Sequence, residues 1–544
     1  MSDNQVVSSS NSKYISIVPE NGEVFNPSQK IIYNIEPSIG FIKRDTYLIF
    51  DVLNTSANSN MVAFPQQVGA HALIENIRIY SKMTGVLLEA LENYSQIQGL
   101  IHQYGYDDKT QLNMKEGVGL PCCSRLNANN GGNLASNYQG VGAHFVENLQ
   151  LSVLANTPAP NTPRYVSRRF CIPLRAGLFR SFDSERLIPI LNMGGLRIEI
   201  NLAPADLALQ RICCSEVLVG SAYGHAQRDL VNFGVLIDNR GGGDVIFRLT
   251  GTHTGAKCGL CVGNSVRFWD VGVHDFTRTI TAIADDGAGN VDITVSGAVV
   301  NASSANTRLF VSVGGNGNGA GVGDLQNTVC IDAMNYQITS TEMRICQVVP
   351  TPEQAKTLSS ALNYEFTSYD VFLDNIDGGT LRHQVPINSV SSKALGIISM
   401  PYRADYERNN ATSSYFAGET PSVNGVNSVQ FFINNKLYPL REYNPHSLND
   451  RVICLNEVVK ALKAVGIPPK MLGVNEYGYI EDYNNTWVVA RELARSGFVF
   501  DLRNAEGEIR LGFGAVRAWR TRVNTFVFSK KIIETTAQGV QVVL

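Results

Sequence analysis

The sequence has no long hydrophobic run and little charge. No stretch reaches about 18 consecutive apolar residues, the length that a membrane-spanning helix requires, so we expect no such span. Charged residues make up only 17% of the 544-residue chain, which is below the usual share in soluble domains. The 45 basic and 48 acidic residues leave a net charge of −3, which argues against a protein whose main task is to coat nucleic acid. We therefore expect no sequence-specific nucleic-acid binding.

The N-terminus carries no sign of export. Its first residues, MSDNQVVSSSNSKY, contain a single Lys and form a polar arm that is neither a signal peptide nor a basic tail. The 10 cysteines include the adjacent pairs Cys122-Cys123 and Cys213-Cys214, which are poor disulfide partners for each other. Without a route to an oxidising compartment, most cysteines are expected to be buried free thiols. The chain is predicted to be made and assembled in reducing cytosol or nucleus.

Catalytic and metal-binding motifs are missing as well. The chain has no G-x-S-x-G nucleophile elbow and no H-E-x-x-H zinc motif. Cys258 and Cys261, with His253 five residues before the first, have half of a zinc-site spacing, but no second pair follows. These two cysteines are the metal candidates, and buried thiols in a Gly-rich hairpin are the favoured interpretation. The glycine-rich run 314–323 precedes no amphipathic helix, so it offers no phosphate site. No catalytic residue and no cofactor is predicted.

What the chain does have is a two-residue alternation of apolar and polar side chains. LRIEINLA at 196–203 places four aliphatic residues on one face, and FVFDLRNAEGEIRL at 498–511 alternates on both sides of a turn. VQFFINNKLYPL at 429–440 is predicted to be a hairpin that turns at Asn434-Asn435, because asparagine tolerates the left-handed backbone of a tight turn. Such a pattern is typical of antiparallel sheets with one buried face, and it predicts a sandwich or a barrel.

Few helices are predicted. Apolar spacing and end signals indicate three: 89–105 with Gly105 as its stop, 351–362, and 447–469 with an apolar face of Val452, Leu455, Val459 and Leu462. We expect them to cover the ends or sides of a sandwich.

Two prolines bracket a polar turn in RRFCIPLRAGLFRSFDSERLIPIL at 168–191. Proline lacks the N–H that a β-ladder needs, so it belongs at a sheet edge, a strand end or a bulge. Pro173 and Pro189 therefore predict strand ends at which the chain leaves one sheet and enters another. Edge-strand prolines within any sandwich are the alternative.

One order of elements occurs twice. NIRIYSKMTGVLLEALENYSQIQGLI at 76–101 and SVQFFINNKLYPLREYNPHSLNDRVICLNEVVKAL at 428–462 are each a strand, a turn, a short strand and an amphipathic helix. This favours two copies of one strand-rich unit, although chance similarity of such common elements is the alternative. The glycine-rich block 213–333 is predicted to be a small β-barrel inserted into a loop of the first unit.

These segments in this order resemble a known family. The hairpin and helix at 76–101, FCIPLRAGLF with LIPIL downstream, LRIEINLA, YQITSTEMRICQVVPTP and the second-half NNKLYP look like the double-jelly-roll major capsid proteins of tailless icosahedral double-stranded DNA viruses. The likeness runs over roughly residues 14–205 and 334–544. It is closer to the virophage and polinton-like virus type than to the larger adenovirus hexon. The block 213–333 departs from the minimal pattern.

The resemblance implies a fold and a function. The fold class is all-β with a few short helices: two side-by-side eight-stranded jelly rolls with an inserted small β-domain. The implied domains are an N-terminal arm (1–13), a first jelly roll (14–362) interrupted by a tower (213–333), and a second jelly roll with a C-terminal tail (363–544). Three chains would form a pseudo-hexameric homotrimer that tiles an icosahedral shell.

The implied partners are other viral structural proteins. They are further copies of the chain, neighbouring capsomers, a penton protein and minor capsid proteins. The arm and the tail IIETTAQGVQVVL are candidates for clamping these neighbours, with frayed termini as the alternative. The tower is a candidate for binding a host receptor, and a tower that only stabilises the trimer is the alternative. The implied location is the virion.

Two other classes of function remain open. A multi-domain β-sandwich that binds carbohydrate or a cell surface would be a folded monomer with clustered exposed aromatics. A β-sandwich hydrolase would need a convergent polar site, and the sequence shows none. The duplicated unit and the polar arm favour the capsid protein.

Overall fold

The computed structural model describes most of two large β-sandwiches and part of an inserted sheet. The described residues are 12–55, 62–65, 68–105, 117–119, 152–154, 163–165, 168–175, 177–179, 187–211, 218–220, 226–229, 236–239, 245–250, 265–270, 274–285, 291–298, 308–312, 335–349, 363–404, 425–445, 447–467, 487–494, 499–503, 506–517, 520–536 and 539–543.

The strands fall into three groups along the chain: those before the insertion, those within it and those after it. The strands up to the insertion are β1 Ser12–Ile17, β2 Val24–Phe25, β3 Lys30–Ile35, β4 Phe41–Ile42, β5 Tyr47–Asn54, β6 Val62–Ala63, β7 Ile74–Ser81, β8 Leu87–Leu91, β9 Ser152–Leu154, β10 Pro163–Tyr165, β11 Arg168–Pro173, β12 Ile188–Pro189, β13 Leu196–Leu202 and β14 Gln210–Arg211. Those of the insertion are β15 Leu218–Gly220, β16 Ala226–Asp229, β17 Leu236–Asn239, β18 Ile246–Thr250, β19 Ser265–Asp270, β20 His274–Asp285, β21 Val291–Val295 and β22 Arg308–Ser312. The remaining strands are β23 Tyr336–Val348, β24 Asn363–Ile376, β25 Arg382–Pro386, β26 Ala394–Arg403, β27 Val426–Ile433, β28 Lys436–Tyr443, β29 Val489–Glu492, β30 Gly507–Phe513, β31 Thr521–Thr536 and β32 Gly539–Val543.

Helices are few and short. The α-helices are α1 Tyr94–Gly105, α2 Ala205–Ala208 and α3 Leu448–Ala464, and the 3₁₀ turns are Pro37–Ile39 and Gly69–Leu73. The all-β class with a few short helices is confirmed.

The first sandwich consists of two facing antiparallel sheets. One is four-stranded in the order β3-β13-β7-β8, and the other is seven-stranded along β11-β5-β23-β4-β12, with β1 and β2 also paired to β23. The alternation predicted for 196–203 is confirmed, because Leu196, Ile198, Ile200 and Leu202 are all buried in β13. The apolar rows of the two sheets form the core between them.

The second sandwich repeats this arrangement. Its sheets run β25-β30-β27-β28 and β24-β31-β26-β29, with β32 added beside β31. Each sandwich has eight principal strands, which are β1, β3, β5, β7, β8, β11, β13 and β23 in the first and β24 to β31 in the second. Numbered from one to eight along the chain, they form sheets with the orders 1-8-3-6 and 2-7-4-5 in both sandwiches. In the first sandwich these sheets are β1-β23-β5-β11 and β3-β13-β7-β8. That is jelly-roll connectivity. Most buried hydrophobic residues of both sandwiches belong to one continuous cluster, and Phe41, Leu187 and Val348 form a small separate one.

The insertion lies between β13 and β23, the last two strands of the first jelly roll. Its strands form an eight-stranded antiparallel sheet in the order β15-β16-β22-β19-β20-β21-β18-β17. A small barrel was expected here. Among the described residues β15 and β17 end the order without pairing to each other, and the barrel itself stays a prediction.

The prolines of 168–191 lie at sheet edges, but the predicted change of sheet is wrong. Pro173 ends β11, which pairs with β5, and Pro189 ends β12, which pairs with β4. Both strands belong to the same seven-stranded sheet, at its two ends. The chain crosses from one edge of that sheet to the other, and the missing N–H groups fall where no further strand pairs.

The helix predictions are correct in position and partly wrong in extent. The 89–105 prediction begins too early, because residues up to Leu91 form β8, and α1 starts at Tyr94 and ends at Gly105 as expected. The 447–469 helix is Leu448–Ala464, preceded by Ser447 and followed by Gly466 in the left-handed region. The 351–362 segment lies outside the described residues.

The buried face of α3 agrees with the predicted one in part. Leu462 is buried and Leu455 packs partly buried against the core, but Val452 is exposed. Cys454, Val458 and Ala461 are buried as well. The reason is that α3 packs on β29 and β26, on the side of the helix to which Cys454 and Val458 belong.

Candidate functional site: the junction between the two sandwiches

The predicted metal candidates cannot be placed. Cys258 and Cys261 lie outside the described residues, as do His253 and the glycine-rich run 314–323. Among the residues that the structure does describe, no group of three or more His, Cys, Asp or Glu side chains could hold a metal ion.

The cysteines that can be placed are free thiols. Cys346 and Cys454 are buried and Cys171 is half-buried. Burial raises the pKa of all three thiols, which keeps them protonated and unreactive. This agrees with the structural role expected for the cysteines.

The polar groups that are brought together from distant parts of the chain lie where the first sandwich meets the second. Here β8 packs against β24 and β32, and α1 and the loop 174–179 face β24 and β31. We call this contact the junction. Its polar groups form two clusters, one around Glu89 and one around Asn524.

Glu89 of β8 is the centre of the first cluster. Its side chain is buried, and it accepts hydrogen bonds from Ser368 Oγ at 2.6 Å and from the backbone N–H of Leu178 at 3.0 Å. Burial raises the pKa of Glu89, and the hydrogen bonds and nearby Lys531 oppose this effect only in part. The carboxyl thus links a strand and a loop of the first sandwich to β24 of the second.

Gly177 allows this approach. A Cβ at this position would overlap both Glu89 Oε1 and the carbonyl oxygen of Thr367. Only a glycine lets the loop 174–179 lie this close to β8 and β24 at once.

The second cluster joins α1 to the second sandwich. Asn524 Nδ2 donates to Gln96 Oε1 at 2.6 Å and also lies 3.2 Å from the hydroxyl of Tyr402. All three side chains are buried. Nearby charged groups complete the junction: Lys531 Nζ donates to Asp370 Oδ1 at 2.9 Å, and Arg44 Nε donates to the Tyr364 hydroxyl at 3.0 Å.

The space left at the junction is small. A cavity of about 10 Å³ lies between α1 and β24, lined by Ile97, Ile101, Tyr369 and Phe528 among others. That volume takes at most one water molecule. A cavity of this size cannot hold a substrate.

A buried histidine pair lies in the first sandwich. The rings of His71 and His102 are 5.3 Å apart, and that of Tyr94 is 5.9 Å from His71. Neither ring nitrogen of His71 has a hydrogen-bond partner among the described residues. Burial, with His102 and Arg175 nearby, holds the pKa of His71 well below its usual range, so the ring stays neutral.

Sequence reasoning missed Glu89, Gln96 and Asn524. An acidic residue inside the apolar strand LLEAL was the available signal for Glu89, since a buried carboxylate needs partners. Nothing in the local sequence distinguishes Asn524 or Gln96 from surface amides.

Comparison with known proteins gives structural likeness without sequence likeness. No protein-family model matches the chain, and no curated protein sequence matches it. The Faustovirus major capsid protein superimposes with a TM-score of 0.52 at 9% identity, over 96% of this chain and 90% of that one. With the strand order described above, this match decides the fold.

The fold is a double jelly roll.

Two further solved structures are similar to this double jelly roll at lower scores. VP54 of PBCV-1, in a crystal structure fitted into a cryo-EM reconstruction of the virophage Sputnik, has a TM-score of 0.48 at 8% identity, over 98% of this chain and 97% of that one. The mavirus major capsid protein has a TM-score of 0.39 at 10% identity, over 100% of this chain and 92% of that one. In the described part of the double jelly roll, none of the helices has both the length and the apolar character needed to cross a bilayer.

Proposed function

We propose that this chain is a major capsid protein that forms homotrimeric, pseudo-hexameric capsomers of an icosahedral double-stranded DNA virus. The observation that carries the proposal is the double jelly roll itself: the same sheet order occurs twice in one chain, and a buried polar junction joins the two copies. The Faustovirus protein that shares this fold is a major capsid protein. Sandwiches bury the faces of their sheets, which suits a wall built of many identical copies.

The proposed domains are those expected from the sequence. They are an arm at 1–13, a first jelly roll at 14–362 interrupted by a tower at 213–333, and a second jelly roll with its tail at 363–544. In support, the sheet of the insertion spans 218–312, and β24 begins at Asn363. Strand β1 begins at Ser12, so the last two residues of the proposed arm are already paired to β23.

The proposed role is structural and its proposed location is the virion. Its partners are further copies of the chain, neighbouring capsomers, a penton protein and minor capsid proteins, with the tower as the receptor-binding candidate. The buried hydrogen bonds that join the two sandwiches at the junction support a structural role for that site.

The test is the native mass of the purified chain, measured by light scattering on a sizing column. We expect three times the chain mass of 59.4 kDa, with little monomer after dilution. Negative-stain images of that species should show a hexagonal outline. A monomer at every concentration would contradict the proposal and would favour a β-sandwich that binds carbohydrate or a cell surface.

A further inference from the structure

The junction covers one edge of the first sandwich with the second sandwich. Strand β8 is the edge strand of its four-stranded sheet, and outside that sheet it contacts β24 and β32. The contact has a direction: the fifth strand of one jelly roll meets the first strand of the other. A directional contact of this kind joins two different surfaces, its two halves. Among the described residues, each sandwich carries one half that has no comparable contact with a strand of the other sandwich.

The unused half on the second sandwich is β28. It occupies the same place in its sheet as β8 does, since Leu91 ends β8 opposite Ile77 and Tyr443 ends β28 opposite Val429. In the described residues, β28 has no comparable contact with a strand outside its sheet.

The covered and uncovered edges carry apolar side chains of very different exposure. Leu88 of β8, at the junction, is 2% exposed, whereas Leu440 of β28 is 90% exposed. A leucine that is almost fully exposed on a sheet edge costs solubility unless it is covered in the assembled protein.

Helix α3 begins beside the end of β28 and carries two further exposed apolar side chains. Val452 and Ile453, in its first two turns, are also exposed. Asp450 holds the start of the helix to the end of β28, because it accepts hydrogen bonds from Arg441 Nη2 at 3.2 Å and from the backbone N–H of Asn444 at 2.9 Å. We call Leu440, Val452 and Ile453 the open edge.

The unused half on the first sandwich is its first strand, β1. Its counterpart β24 is covered at the junction, with Tyr364, Phe366 and Tyr369 all buried. On β1, Tyr14 is 59% exposed, and Val18, just after the strand, is 71% exposed. We call Tyr14 and Val18 the open strand.

We infer that the open edge of one copy packs against the open strand of the next copy, in a contact that repeats the geometry of the junction. The inference rests on the proposed capsid function and names the surfaces through which that assembly forms. The contact is heterologous, so successive copies form a closed ring when the rotation between them allows it. Three copies then place six sandwiches around one axis.

Two substitutions test this pairing. Leu440→Asp puts a charge on the open edge and Val18→Asp puts one on the open strand, and neither side chain belongs to a core. Val516→Asp in the second sandwich and Met83→Asp in the first are matched controls at other exposed apolar positions. Circular dichroism and the urea midpoint of each monomer show whether the fold is kept.

Each of the two variants alone is expected to lose the trimer and to run as a monomer, while both controls keep it. An equimolar mixture is expected to form a heterodimer of twice the 59.4 kDa chain mass. The reason is that the intact open strand of the Leu440→Asp chain meets the intact open edge of the Val18→Asp chain, and the two remaining halves are both blocked. Only a contact between these two surfaces gives that result.

The outcomes separate the two proposals. A monomeric wild-type chain overturns the capsid function. A trimeric wild type whose two variants remain trimeric, or whose monomeric variants do not combine when mixed, overturns the pairing of these surfaces and leaves the capsid function standing.

Discussion

Asn524 of β31 and Gln96 of α1 are joined by a buried hydrogen bond of 2.6 Å although 428 positions separate them in the chain. The bond crosses from the second sandwich to the first. A buried amide without a hydrogen-bond partner lowers the stability of the fold. The arrangement in which Asn524 and Gln96 pair is therefore favoured. The relation of the two sandwiches therefore depends on specific polar pairs as well as on the shared apolar cluster.

Removal of either amide is expected to destabilise the protein. Asn524→Ala leaves Gln96 Oε1 without its amide donor, and we expect a loss of about 1–3 kcal/mol in the free energy of unfolding. Gln96→Ala should cost a similar amount. The double variant should lose less than the sum, with a coupling of about 0.5–3 kcal/mol, since the pair shares one interaction. Urea denaturation of all four proteins measures the coupling.

A surface amide provides the control for this cycle. Gln541 Nε2 donates to Glu534 Oε2 at 3.0 Å in an exposed position. Gln541→Ala should therefore change the free energy of unfolding by no more than about 0.5 kcal/mol. Strictly additive effects of the two junction variants would show that the bond between Asn524 and Gln96 does not couple the sandwiches.

Gly177 gives a steric prediction at the same junction. Gly177→Ala should force the loop 174–179 away from Glu89 and Thr367, with a loss of about 1–3 kcal/mol of stability. Gly379→Ala is the matched control, because a Cβ at Gly379 would meet nothing within 4 Å. Urea midpoints of the two variants against wild type measure the difference. If the two substitutions changed the urea midpoint equally, the close packing at Gly177 would not contribute to stability.

The local features of the fold could be predicted from sequence. The hairpin at Asn434-Asn435 forms as expected, with φ of 50° and 58° at the two residues, because few other side chains accept that backbone. The alternation of β13 also determines its buried face. In each case neighbouring residues contain the whole signal.

Features that depend on distant partners could not be predicted. Residues 87–91 form an edge strand too short for its alternation to be distinguished from the helical spacing of Leu91 and Tyr94. Pro173 and Pro189 identify edges, but the sheet to which an edge belongs depends on β5 and β4, which lie more than a hundred residues earlier. The polar clusters of the junction are set by tertiary contact alone.

Glu89 predicts a pH dependence of stability. Its pKa is raised above the usual 4.5 by burial, so the folded protein keeps a proton that the unfolded chain releases. The contribution of Glu89 to the free energy of unfolding is complete at pH values below the pKa of Glu89 in the unfolded chain. It is lost as the pH rises through the pKa of Glu89 in the folded protein. In Glu89→Gln the side chain cannot ionise. We therefore expect the variant to gain stability relative to wild type as the pH rises from about 4 towards neutral.

Urea denaturation of wild type and Glu89→Gln across that range measures the gain. Asp501→Asn is a control of opposite sign, because the hydrogen bond from Arg503 holds the pKa of Asp501 below its usual range. That variant should lose stability relative to wild type as the pH rises through the acid range up to about 4, by a small amount because the carboxylate is exposed, and should run parallel to wild type from there to neutral pH. A difference between Glu89→Gln and wild type that stays constant with pH would show that the Glu89 carboxyl titrates normally.

His71 predicts sensitivity to acid. Burial holds the pKa of its ring well below 6.5, and the groups that face it are His102, Arg175 and the ring of Tyr94. As the pH falls below about 6.5, the unfolded chain binds a proton at this residue and the folded protein does not, so stability decreases. This residue alone contributes a slope of up to about 1.4 kcal/mol per pH unit. His71→Phe should flatten the dependence on pH between about 6.5 and 5, whatever its effect on stability at neutral pH. Urea denaturation at each pH measures the slope, and the same slope in wild type and variant would place the acid-sensitive group elsewhere.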